Sequence, residues 1–209
     1  VKIPLDEGLI PNSATETTSG SAGASVVGAR GFLGANVALF NTTYGIPSEE
    51  GVTIDLKQRR LDLKGAIREP FGAFRGVKFR FGVSDYEHSE LEGAVVGTHF
   101  DNQGHEGRLE FLHKDLGPLK GAFGVQTQGR DLTVTGEEAF LPPSQTRSLA
   151  VFVLEEMGTG RARLALGGRV ERQVVDVDRG DSRTMTGLSG SAGITVRAQK
   201  GVAFGLTLA

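Results

Sequence analysis

Val77-Lys78-Phe79-Arg80-Phe81-Gly82-Val83-Ser84 is the stretch that decides how this chain folds. Its apolar residues fall at every second position, with Lys78, Arg80, Gly82 and Ser84 between them. Side chains alternate between faces along a strand, so this stretch is apolar on one side and hydrophilic on the other. The pattern recurs. Leu188, Gly190, Ala192, Ile194 and Val196 alternate with Ser189, Ser191, Gly193, Thr195 and Arg197, and Val202, Phe204, Leu206 and Leu208 alternate with Ala203, Gly205 and Thr207. One such strand is ordinary. A long succession, with Lys78, Arg80, Arg161 and Arg163 on the polar side, predicts an antiparallel barrel with an apolar outside and a wet inside.

Working outward, strands are expected at 19–28, 32–41, 52–64, 76–86, 98–114, 119–130, 147–156, 161–176, 185–197 and 202–209, about ten in all. No stretch shows a helical period. In the third strand the apolar set shifts phase from Val52, Ile54 and Leu56 to Leu61 and Leu63, which predicts a bulge or register change near Gln58-Arg59. The connections alternate between short ones near Arg30, Pro70, Gly117, Thr159 and Lys200 and longer ones near Pro47, Glu90, Glu138 and Gly180, with 88–97 read as a polar link. Membrane barrels alternate short turns on one side with long loops on the other, whereas a soluble sandwich requires no such alternation. The expected fold is an all-β, up-and-down meander with Phe79, Phe81, Val196 and Phe204 on its convex face, opposite Lys78, Arg80 and Arg163. Residues 1–15 form a lead-in segment and 16–209 the barrel portion. The sequence starts without Met and stops within an alternating segment, so it reads as an internal piece of a larger protein.

The bulk numbers agree. The chain has 209 residues, no Cys, no Trp and a net charge of −2. That balance gives no reason to expect nucleic acid as a partner, which favours a clearly basic domain. Without Cys there are no disulfides or thiolate metal sites. Glycine, at 31 residues, is scattered through the alternating segments, where it marks bends, bulges and close approach. No run of roughly 18 apolar residues is present, which excludes a membrane helix and leaves a membrane barrel open.

Particular words narrow the class. Tyr44-Gly45-Ile46-Pro47, Ile54-Asp55-Leu56-Lys57-Gln58 and Asp62-Leu63-Lys64-Gly65 come first, then Ser84-Asp85-Tyr86-Glu87-His88, Glu90-Leu91-Glu92-Gly93 and Val96-Gly97-Thr98-His99-Phe100. Gly121-Ala122-Phe123-Gly124-Val125-Gln126, Gly136-Glu137-Glu138-Ala139-Phe140-Leu141-Pro142-Pro143 and Thr146-Arg147-Ser148-Leu149 follow. In this order, from about Leu9 onward, they resemble the barrel of TonB-dependent outer-membrane receptors, closest to the zinc-uptake type. The resemblance implies a barrel of about 22 strands in the outer membrane of a Gram-negative bacterium, closed by a plug domain that this sequence does not contain. It further implies transport without bond-breaking chemistry, with lipid, the TonB energy-coupling complex acting through the plug, and a metal ion such as zinc or a metal complex as partners. A siderophore or other chelate is the alternative cargo, and a soluble ligand-binding β-domain the competing class. In the zinc-type receptors the loop after the Tyr-Gly-Ile-Pro word is often long and His-rich. Here it is Ser48-Glu49-Glu50-Gly51, without His.

Candidate metal ligands follow from residue type and spacing. His88, Glu90 and Glu92 are spaced by two, as are His99 and Asp101, so on extended backbone each set shares a face. Imidazole and carboxylate together suit zinc at about 2.0–2.2 Å. The same residues equally suit a solvated acidic rim. Glu137 and Glu138 lie in a loop stiffened by Pro142-Pro143, where paired carboxylates would attract a cation or simply hydrate the loop. Lys78, Arg80, Arg161, Arg163 and Arg169 are expected to face the lumen, where they would favour anionic chelates or form ordinary polar lining. No cofactor is called for. Gly187, Gly190 and Gly193 sit on a strand with no helix to hold a phosphate, Asn41-Thr42-Thr43 is a chance sequon, and four scattered His give no catalytic triad. No enzyme is expected.

Overall fold

The computed structural model describes residues 10–49, 51–137 and 139–209. Ten strands run in sequence order: β1 (Thr15–Gly28), β2 (Gly31–Gly45), β3 (Val52–Arg68), β4 (Phe74–Glu92), β5 (Val95–His113), β6 (Leu119–Gly136), β7 (Ser144–Thr159), β8 (Ala162–Val177), β9 (Arg183–Gln199) and β10 (Val202–Leu208). Each pairs antiparallel with its sequence neighbours in one sheet ordered β1 to β10. This is the expected meander, without a second packed layer among the described residues.

Because residues paired across strands share a face, the register fixes what each face carries. Phe81 lies between Leu63 and Gly107, Val83 beside Leu61, and Leu61 beside Val37. On β6 to β10 the same face carries Val125, Val151, Val170, Leu188, Val196 and Phe204. These residues form a continuous apolar belt, with Leu188 exposed by 83% and Phe204 by 69%. Lys78, Arg80 and Arg163 occupy the opposite face, as the alternation predicts. Small residues keep the belt filled. The ring of Phe79 lies over Gly65 and that of His105 over Gly129, where a Cβ would collide with either ring. At the short-turn end, Phe71, Phe74, Phe111 and Phe123 stack edge-to-face or offset, with centroids 5.3–6.0 Å apart. Such a girdle suits a membrane–water boundary.

Two sequence expectations are corrected. First, 88–97 is not a link. β4 and β5 are 19 residues each and meet at a two-residue turn, 93–94, where Gly93 takes φ +62°. Positive φ is what a tight hairpin needs, so the acidic composition of this stretch concealed a strand pair. The connections at that end are consequently 46–51, 93–94, 137–143 and 178–182, so the expected alternation of loop lengths is only partial. Second, β3 has no bulge near Gln58-Arg59. Its pairing with β2 and β4 is unbroken from Thr53 to Ile67.

The phase shift in β3 has a different cause. Ile54 and Leu56 belong to the charged face, Leu61 and Leu63 to the belt face. The strand keeps its register while the apolar side changes over. The neighbouring strands β4 to β6 do the same. Beyond the belt, the outer positions become Lys57, Arg59, Asp85, Glu87, Asp101 and Asp131, while the inner positions become Tyr44, Ile54, Tyr86, Phe100, Leu132 and Val134. A strand needs only about 9–11 residues to cross hydrocarbon. The upper parts of β3 to β6 extend beyond that length, with a charged outer face and an apolar inner wall. The buried side chains Thr42, Ile54, Thr98, Val134, Ala150 and Phe152 are all on the inner face.

In the full-length protein Phe81→Arg, on the belt, is expected to lower unfolding free energy by about 2–4 kcal/mol in a lipid bilayer. The neighbouring inner-face change Arg80→Gln is expected to cost less than about 1 kcal/mol. Equal costs would contradict the assignment of faces.

Candidate functional site

The inner wall has two tiers. In the lower one, level with the belt, three strands repeat the same two-residue clasp. Arg60 is bound to Asp62 at 2.8 Å, Arg108 to Glu110 at 3.1 Å and Arg169 to Glu171 at 3.0 Å. Spacing by two puts arginine and carboxylate on one face, with Leu61, Leu109 or Val170 pointing to lipid between them. The clasps are joined across intervening strands. Arg60 reaches Glu106 at 2.6 Å over β4, and Arg108 and Arg169 both donate to Gln126 Oε1, at 3.2 and 3.0 Å. Arg108 also lies 3.7 Å from the ring centroid of Phe152, over β6.

Glycine makes these crossings possible. A Cβ at Gly82 would stand 2.8 Å from Arg60 Nη2 and 3.0 Å from Asp62 Oδ1, and one at Gly124 would meet the ring of Phe152. Arg60, Asp62, Gly82, Glu106, Arg108 and Gln126 line a cleft of about 400 Å³. Of the two readings of the lumen-facing cations, this tier has the composition of a mixed polar lining. Lys78 pairs with Glu110 at 3.7 Å and Arg163 with Glu156 at 3.8 Å, while Arg161 sits in the turn before β8. Arg80 lies beside Lys64, and neither has a carboxylate within ion-pair distance among the described residues.

The upper tier is aromatic. His88 stacks on Phe100 with centroids 4.2 Å apart and planes inclined by 22°, and its Nδ1 is 3.0 Å from the Tyr86 hydroxyl. Burial holds the His88 imidazole below its ordinary pKa of 6.5 despite the nearby Glu90 carboxylate, and burial pushes the Tyr86 phenol up. Both groups are therefore uncharged near neutral pH. Asn102, the cross-strand partner of Tyr86, has its Oδ1 shielded from solvent without a hydrogen-bond partner. Such an unsatisfied acceptor is costly unless something donates to it.

The structure divides the residues singled out by sequence. His88 and Glu90 share the inner wall, and Glu92 ends β4 at the exposed rim. His99 and Asp101 face outward, because His99 pairs with Ser89, whose hydroxyl meets His99 Nδ1 at 2.9 Å. The two sets thus occupy opposite faces of the sheet and do not converge. Glu137 begins the β6–β7 connection, its N–H donating to the Gly97 carbonyl at 3.2 Å, while Glu138 and Glu50 lie outside the described residues. One carboxylate cluster does form. Asp85, Glu87 and Asp101 bring oxygens within 4.8 Å of one another on the outer face above the belt. Asp85 and Glu87 are not among the sequence candidates, because a link at 88–97 hides the register that sets Glu87 opposite Asp101. Arg59 and Lys57 flank them as the cross-strand partners of Asp85 and Glu87.

A one-layer antiparallel sheet with a lipid-facing belt, a clasped polar lower wall and an aromatic upper wall defines a section of a membrane β-barrel. Solved structures agree on the fold. The FrpB iron transporter from Neisseria meningitidis matches with a TM-score of 0.81 at 13% identity, over 95% of this chain and 36% of its own. The copper transporter OprC matches at 0.76 and 14%, over 91% and 36%. BauA, the ferric preacinetobactin receptor from Acinetobacter baumannii, matches at 0.71 and 10%, over 97% and 40%. The chain thus spans well under half the length of these transporters and receptors. No family model matches the sequence.

Two measurements check the wall. Gly124→Val should run into the Leu109 carbonyl and the Phe152 ring and cost about 1–3 kcal/mol in urea unfolding of the full-length protein. Gly187→Ala, with open space around its Cβ, should stay within about 0.5 kcal/mol of wild type. The second concerns His88. The unfolded chain binds its proton more readily than the folded one, so acidification below 6.5 works against the folded upper wall. By NMR, His88 should titrate below 6.5, and Phe100→Ala should move it upward by removing part of its burial. An unmoved titration would show that Phe100 does not shield the ring.

Proposed function

We propose that this chain forms part of the wall of a TonB-dependent outer-membrane transporter of a Gram-negative bacterium, one that imports metal as an organic complex. The carrying observation is the change of polarity along β3 to β6. Above the membrane a strand facing water on both sides has no reason to turn its apolar side inward. Tyr44, Ile54, Tyr86, Phe100, Leu132 and Val134 do face inward there, around an uncharged imidazole and the unpartnered Asn102 acceptor. A mostly apolar wall with a few fixed polar groups is the usual chemistry of a site for an organic ligand. Bare hydrated cations gain little from it. Similarity to the named iron and copper transporters supports metal-related cargo, and the missing length of barrel, with its plug and energy-coupling contacts, belongs to the same reading.

Uptake of a bare zinc-like ion is the second reading. It is favoured by His88 and Glu90 standing on the same inner face, with Glu137 at the rim.

The two separate in the full-length protein. Titration with a neutral aromatic ferric chelate, such as the tris-tropolonate complex, should give saturable binding weakened about three- to ten-fold by Phe100→Ala or Tyr86→Ala. Binding of Zn²⁺ alone should be weak and indifferent to both changes. Tight Zn²⁺ binding lost in His88→Ala, with no chelate binding, would establish the bare-ion reading instead.

A further inference from the structure

The lead-in to β1 crosses the rim at the end of the sheet where β2 and β3 are joined, and one side chain there does an unusual amount of bonding. Asn12 takes φ +51°, a left-handed conformation that asparagine tolerates better than most residues. Its Nδ2 donates towards the carbonyls of Ile46, Glu49 and Val52, at 3.0, 2.9 and 2.7 Å. An amide nitrogen has two hydrogens, so the three acceptors share them.

Each of these carbonyls already accepts a backbone N–H from within the loop. Glu49 N donates to Ile46 O at 3.0 Å, Val52 N to Glu49 O at 3.2 Å and Ile46 N to Val52 O at 3.1 Å. A carbonyl has two lone pairs, and Asn12 takes the second on all three. The amide thus sits at the focus of the loop rather than at its edge. The approach is close enough to dictate a neighbour: a Cβ on Gly45 would run into Asn12 Oδ1 and the Asn12 carbonyl. Gly45 N in turn donates to Ala14 O at 3.1 Å. On the far side, Gly51 O accepts from Gly93 N at 3.2 Å, which ties the loop to the β4–β5 turn.

We propose that Asn12 is a latch that joins residues 12–14, the turn at 46–49 and, through Gly51 and Val52, the 93–94 turn into one rigid rim. Under this assignment the Tyr44-Gly45-Ile46-Pro47 word has a mechanical meaning. Gly45 leaves room for the latch, and the connection that follows is a fixed post beside the aromatic wall rather than a lid that closes over cargo. The proposal rests on hydrogen bonding and needs no particular cargo, so it stands or falls separately from the transport reading.

Hydrogen–deuterium exchange on the full-length protein tests it. Asn12→Gly keeps access to the left-handed backbone and removes only the amide. The Glu49 and Val52 amides should then exchange about ten-fold faster, the worth of one net hydrogen bond. Gly45→Ala should produce the same rise by blocking the approach from the other side, and the double variant should add nothing further, because both act on one contact. Exchange within two-fold of wild type in folded Asn12→Gly protein would show that the loop holds itself, and additive effects would show that Gly45 and Asn12 act independently. Either outcome overturns the latch. Should Asn12→Gly fail to fold, the Gly45→Ala exchange decides alone: unchanged protection there also overturns it.

Discussion

Hydrocarbon offers no hydrogen bonds, and that constraint organises everything else in this molecule. Each peptide group inside the bilayer has to be satisfied by the chain itself, which leaves helices and closed sheets as the only spanning structures. Among the described residues no helix is long and apolar enough to cross. Its answer is a ladder in which each strand pairs with the next, and the few register shifts fall near strand ends, at Phe74/Gly76, Glu90/Leu91 and Val202/Ala203. The outer edges of β1 and β10 are left unpaired within the described residues. Open edges of this kind are a liability that barrel closure removes, which is why the account treats the sheet as part of a larger wall.

The same constraint explains where charge is found. Within the belt, Arg60, Arg108 and Arg169 point inward and are held by carboxylates two residues away on the same strand. Lys64 and Arg80 depart from this by standing side by side. Like charges in cross-strand positions repel, so this pair marks a place where the material filling the lumen would gain most by presenting an acid. Above the belt the solvent outside changes from lipid to water, and the outer face becomes charged at once. The inner face becomes apolar at the same height. Water alone accounts for the first change but not for the second.

Much of this could be read from the residues. Val77 to Val83 and Leu188 to Val196 announced their faces through simple alternation, and the order of strands followed. The lower clasps were also visible in principle, as Arg60-Leu61-Asp62, Arg108-Leu109-Glu110 and Arg169-Val170-Glu171. What the alternation concealed was its own reversal. In β3 the shift from Ile54 and Leu56 to Leu61 and Leu63 looks like a bulge, because sequence records parity but not which side is wet. The stretch from His88 to Gly97 reads as a loop because acids are rare in strands of soluble proteins, yet here Glu87, Glu90 and Glu92 lie on paired strands. With the turn at 93–94 hidden, the spacing of His88 and His99 carries no sign of their relative facing. Pairing between β4 and β5 sets them on opposite sides. The Asn12 contacts left no trace in composition or period, since they join the lead-in to a loop more than thirty residues away.

The reversal of polarity along β4 is the central claim, and it can be measured residue by residue. The chain has no cysteine, so single cysteines carrying spin labels can be placed from Val77 to Leu91 in the full-length protein without background. Collision with lipid-soluble oxygen should be high at 77, 79, 81 and 83, and low at 78, 80, 82 and 84. From 85 onward the odd positions should switch to collision with a water-soluble nickel complex, while 86 and 88 remain shielded from both reagents. Oxygen accessibility continuing at 85, 87 and 89, or free nickel access at 86 and 88, would contradict the account.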